Sequence, residues 1–153
     1  MGPRKQTKRR KKRRVEEPLT EELLEQLLTA SDPARFATEN KIGTRSLPDY
    51  LQQLLDEKGL KRAQVIRQAG LNETYGYQIF MGLRNASRDK LLQIIFAMSM
   101  SLKEANRTLQ AAGTNGLYCK DRRDAIIIFC LEHGYTLLQT DQELYRLEED
   151  TIC

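Results

Sequence analysis

Apolar residues recur at spacings of three and four along most of the chain, and successive apolar segments stop at glycines 59, 70, 82, 113 and 134. That punctuation predicts an all-α fold of short helices joined by tight turns. The clearest segment opens at Ser46, an amino-terminal cap answered by Asp49, and carries Leu47, Tyr50, Leu51, Leu54 and Leu55 as one stripe. The next, over 62–69, is expected to bury Ala63, Val65, Ile66 and Ala69. Leu71 lies in the turn after Gly70. Asn72 then caps a third helix over 73–81, whose inward residues are Gly76, Ile79 and Phe80.

Ser87 opens a fourth helix in which Leu91, Leu92, Ile94, Ile95, Phe96, Ala97 and Met98 are apolar nearly all round, so it belongs at the centre of the fold. Ser101-Leu-Lys-Glu104 is a capping box for a fifth, which carries Ala105, Leu109 and Ala112. Leu117 and Tyr118 are expected to fix the loop that follows. Residues 121–133 read as a helix or as a buried β-branched strand. The acidic start at Asp121 and Asp124, the length, and the lack of a partner strand favour helix. A capping box at Thr140-Asp-Gln-Glu143 predicts a last short helix with Leu144, Tyr145 and Leu147. These two carboxy-terminal helices add Ile126, Ile127, Ile128, Phe129, Leu131, Tyr135, Leu137 and Leu138, which must be buried on the fourth helix or in a homodimer interface.

The amino-terminal third is organised differently. Leu19, Leu23, Leu24, Leu27 and Leu28 predict an amphipathic helix over 20–29, capped by Thr20. Asp32-Pro33 opens a short segment with Phe36, and Gly43 centres a hinge over 41–45. The expected divisions are a disordered basic tail over 1–17, a helical arm and hinge over 18–45, a helical domain over 46–113, and an extension over 114–153 packed on the core.

Charge changes this picture in one respect. The net charge is +4, but residues 1–14 hold nine of the 25 Lys/Arg and no acid: Arg4, Lys5, Lys8, Arg9, Arg10, Lys11, Lys12, Arg13 and Arg14. The remaining 16 basic residues face 21 acidic ones, so the body is net −5. The tail is either a solubilising segment or a nonspecific attachment to nucleic acid. Three cysteines without CxxC spacing argue against a disulfide framework or zinc knuckle, and no apolar run approaches membrane-spanning length. A cytoplasmic protein without a membrane partner is expected.

Catalytic chemistry finds little footing. The single histidine, His133, ends an apolar helix, where imidazole is ordinarily solvated or compensates the helix dipole. Cys130 lies one turn before it, but two ligands do not close a metal site. No glycine-rich phosphate loop or nucleophile elbow occurs. The reading is a non-enzyme that needs no cofactor.

Residues 47–113 resemble the lambda-repressor-like helix-turn-helix proteins of the Xre family in bacteria and phage. The resemblance rests on Gly70 after Val65-Ile66-Arg67-Gln68-Ala69, on Asn72, on Ile79, and on Gly82-Leu-Arg84-Asn85-Ala-Ser87. It implies a five-helix core whose third helix enters the major groove of double-stranded DNA, commonly as a homodimer, in transcription regulation. Glu73, Thr74, Tyr77 and Gln78 would then contact bases, and Lys61, Arg62, Gln64 and Arg84 would contact phosphates. Two features depart from the pattern. Gly76 stands where a bulky apolar residue is usual, and Tyr75 and Tyr77 give a helix without Lys or Arg. Those aromatics suit a protein partner as well as a groove, so an interaction adaptor is the alternative.

Overall fold

The computed structural model describes residues 20–29, 32 and 46–153. The basic tail, the segment following Asp32 and the hinge over 41–45 lie outside the described residues. Two units are distinguished, dividing after position 44. In the first, α1 spans Thr20–Thr29. The threonine expected to cap this helix is its first residue, and Leu24 and Leu28 of the apolar stripe are exposed.

The second unit contains α2 (Leu47–Lys58), α3 (Arg62–Gln68), α4 (Glu73–Phe80), α5 (Arg88–Ala97), α6 (Leu102–Ala111), α7 (Arg122–Glu132) and α8 (Leu137–Arg146). No strand occurs among the described residues, so the chain is all-α there. The β-branched stretch that admitted a strand is α7. Asp121 caps it, accepting a hydrogen bond from the Asp124 amide at 2.9 Å. Ser46, Asn72, Ser87 and Ser101 cap their helices in the same way, each accepting from an amide three residues on.

α5 forms the centre. Leu91, Leu92, Ile94 and Ile95 are fully buried, and α3, α6 and α8 all pack on this helix. Burying each such side chain contributes about 1.5–3 kcal/mol, so a helix buried on several faces anchors the unit. α7 packs on α6 and α8, adding Ile127, Cys130 and Leu131 to the same core, while α8 adds Leu144. The extension therefore covers the central helix. Phe129, Tyr118, Leu138 and Tyr145 remain exposed, however, so not all of its apolar surface is used in this packing.

Two local expectations are corrected. Ala63 is exposed, because α3 turns only Val65 and Ile66 inward, followed by Ala69 at its end. The last helix begins four residues earlier than the capping box at Thr140 suggests. Thr136 is the cap: its hydroxyl accepts from the Gln139 amide at 3.1 Å, and Gln139 accepts from the Thr136 amide at 2.9 Å. Thr140 lies inside the helix on its buried face, and its hydroxyl donates to the Thr136 carbonyl at 2.8 Å.

Long-range charge pairs lock the extension in place. Arg88 of α5 makes a two-pronged contact with Asp124 of α7 at 3.0 and 2.8 Å and also donates to the Asn115 and Gly116 carbonyls. Burial pushes the Asp124 carboxyl upward. The hydrogen bonds from Arg88 and from the Tyr118 amide, with the charges of Arg88 and Arg123, outweigh that and hold it below the usual carboxylate range. Arg123 ties Asp89 to the Asp150 and Thr151 carbonyls, and Asp141 accepts from the Ile152 and Cys153 amides.

Candidate nucleic-acid interface

The turn between α3 and α4 is built from four successive devices. Ala69 ends α3, Gly70 adopts φ 75°, and the Leu71 amide returns to the Ile66 carbonyl at 3.2 Å. Asn72 then starts α4 by accepting from the Tyr75 amide at 3.0 Å. The positive φ is why glycine is needed at the turn, since a Cβ there costs about 1–2 kcal/mol. From beneath, the buried Gln93 amide of α5 donates to the Ala69 carbonyl at 2.7 Å, while its own carbonyl oxygen is buried without a partner.

Gly76 sets how close α4 comes to α3. A Cβ at this position would lie 2.5 Å from Ile66 Cγ2 and 2.9 Å from Cγ1. The glycine that costs intrinsic helix stability is what lets Ile66 pack directly against the backbone of α4. Gly76, Ile79 and Phe80 are all buried, as their spacing predicts.

The opposite side of α4 is free. Glu73, Thr74 and Tyr77 are exposed and Gln78 is half-buried, so the four residues expected at base edges lie on or beside the outward face. The two tyrosines do not share that face. Two positions along a helix correspond to about 200° of rotation, which puts them on different sides. Tyr77 is 45% exposed, whereas Tyr75 packs at the edge of the core.

Each tyrosine carries an arginine from a flanking element. The Arg62 guanidinium, in the first turn of α3, lies 5.0 Å from the Tyr77 ring centre. Arg84, just past the Gly82 turn, lies 5.3 Å from that of Tyr75. Such stacking over an aromatic face is favourable by about 0.5–1 kcal/mol at exposed sites and holds the cation beside the helix. Lys61 and Gln64 are exposed at the start of α3 but belong to neither stacked pair. α4 thus lacks positive residues of its own, yet cations from α3 and from the following turn sit against it.

Two further residues belong to this surface. Met81, one turn after Tyr77, is 38% exposed, and Leu83 is 72% exposed. The Leu83 amide donates to the Gln78 carbonyl at 2.8 Å, folding the residue back against the end of α4. The helical period carries Met81 to this face, and neither residue is among the expected contacts.

Other candidate chemistry does not assemble. Cys130 is buried, and burial pushes its thiol pKa up. His133 is exposed, stacked on Phe129 at 3.9 Å, with Nδ1 2.8 Å from the Phe129 carbonyl. A cleft of about 680 Å³ is lined by Arg88, Tyr118, Arg122 and Asp124 among others, and by no residue of α4. Its guanidinium groups have fixed partners, including Glu149 for Arg122 at 2.7 Å. No described helix is long and apolar enough to cross a membrane.

Comparison with family models, curated proteins and solved structures gave no significant match to this chain.

Proposed function

We propose that this protein is a bacterial or phage, Xre-type, cytoplasmic DNA-binding regulator of transcription. In this reading α2 to α6 correspond to the five-helix lambda-repressor-like core, and α4 lies in the major groove. The observation that carries it is the pairing of Arg62 with Tyr77 and Arg84 with Tyr75 on either side of an outward helix face. Phosphates need cations at the margins of a reading helix, whereas bases need hydrogen-bonding and apolar groups along its centre. Gln78 supplies a bidentate partner for adenine, and Thr74 a hydroxyl and a methyl. Lys61 and Gln64 extend the phosphate-binding margin.

The rival is a protein adaptor acting through the same surface, motivated by the exposed Tyr77, Met81 and Leu83. It loses its simplest form because Tyr75 and Tyr77 do not make one aromatic patch. The basic tail adds sequence-independent attraction in either case.

Titration of duplex DNA over a range of salt separates these readings. Gln78→Ala should weaken a selected site by about 1–3 kcal/mol and relax its sequence preference. Deleting residues 2–14 should flatten the salt dependence while leaving the preference. Unchanged affinity and preference in Gln78→Ala, with binding abolished by the deletion, would leave only tail electrostatics.

A further inference from the structure

The outward face of α4 has a composition that bears on which bases it suits. At 3.6 residues per turn, Thr74, Tyr77, Gln78 and Met81 fall within an arc of about 100°. The buried residues Gly76, Ile79 and Phe80 lie across the helix. Leu83, folded back by its amide bond to the Gln78 carbonyl, extends the apolar end of this arc.

No lysine or arginine lies within α4, and the nearby Arg62 and Arg84 are stacked over tyrosine rings. Guanine is read chiefly by Arg or Lys at O6 and N7, whereas adenine suits Gln or Asn and the thymine C5-methyl suits apolar contact. We infer that the base pairs read by α4 are A·T rather than G·C, with Met81 and Leu83 as specificity-determining residues that cover thymine methyl groups. This rests on the groove-reading role proposed above. Charge complementarity selects duplex DNA as the occupant, because Arg62 and Arg84, each stacked on a tyrosine of α4, flank the face while its centre is amide and apolar. Glu73, in the first turn, is the carboxylate of α4 and the side chain best suited to cytosine N4, so a G·C pair is expected beneath it.

The test uses the full chain and a randomised duplex library, followed by replacement of each thymine in the selected site with deoxyuridine, which removes only the methyl group. Met81→Ala and Leu83→Ala alter exposed residues, and circular dichroism checks that both variants fold. The expected result is enrichment of A·T pairs at the positions whose preference depends on Gln78. Each methyl removed from under Met81 or Leu83 should weaken binding about fourfold, and that loss should shrink to about twofold or less in the matching alanine variant. Selected sites with G·C pairs at the Gln78-dependent positions would overturn the A·T assignment while leaving groove reading intact. Equal binding of the deoxyuridine duplexes would overturn the role of Met81 and Leu83. No enrichment of any sequence would overturn groove reading itself and this assignment with it.

Discussion

A methyl group added at residue 76 tests how α4 is seated on α3. On an isolated helix, replacing glycine by alanine is favourable by about 1 kcal/mol. In this fold the new Cβ would stand 2.5 Å from Ile66 Cγ2 and 2.9 Å from Cγ1. Ile66 is β-branched and buried, so rotating one branch away brings the other in, and the clash must be relieved by moving α4. Overpacking of this kind costs about 1–3 kcal/mol, which offsets the propensity gain and leaves Gly76→Ala destabilising by up to about 2 kcal/mol. In urea the midpoint should fall by up to about 1 M with an unchanged slope. Ile66→Ala alone should cost about 2–5 kcal/mol, but adding Gly76→Ala in that background should be neutral or stabilising, because the methyl enters the vacated space. A higher midpoint for Gly76→Ala alone would show that helix propensity governs this position, and would refute the close seating of α4 on Ile66.

The remaining predictions concern the other contacts that hold the site in place. Asp124→Asn should destabilise the protein by about 3 kcal/mol or more, because Arg88 loses its buried counter-charge, read by thermal or urea unfolding. The Asp124 carboxyl is held low in the folded state, so its contribution is present above the unfolded pKa; stability should fall as pH drops below about 4, and the variant should show a shallower fall. Gln93→Glu places an acceptor opposite the Ala69 carbonyl, which raises the pKa of the new carboxyl in the folded state. Its destabilisation should therefore grow as pH rises above about 4.3, and a pH-independent loss in urea titrations would contradict that geometry. Thr136→Ala should cost about 0.5–2 kcal/mol through loss of the α8 cap, and equal stability of the variant would return the helix start to Thr140.

The parts of the fold legible in the sequence are those fixed by local chemistry. Ser46, Asn72, Ser87 and Ser101 each cap the helix their spacing implies, and Gly59, Gly70, Gly82, Gly113 and Gly134 all adopt positive φ. Where two local signals compete, as at Thr136-Leu-Leu-Gln139 and Thr140-Asp-Gln-Glu143, tertiary burial of Thr140 decides between them. Features joining distant residues leave no local trace. The Arg88–Asp124 pair spans 36 positions, and the need for glycine at 76 arises from an isoleucine on another helix. Within the candidate site, spacing placed Thr74 and Gln78 on or beside the outward side of α4. The stacking of Arg62 on Tyr77 and of Arg84 on Tyr75 depends on how α3 and the Gly82 turn approach the helix. α3 packs on α5 and Gly82 lies against Pro48 of α2, contacts that the pattern along one segment does not contain.

The central claim is that α4 and the cations beside it meet DNA. Backbone amide chemical-shift mapping of the full chain during titration with a selected duplex tests it most directly. The predicted result is a contiguous set of perturbed residues over 61–64 and 73–84, with α7 and α8 unaffected. Perturbations confined to residues 4–14, or centred on the exposed Phe129, Leu138 and Tyr145, would contradict it.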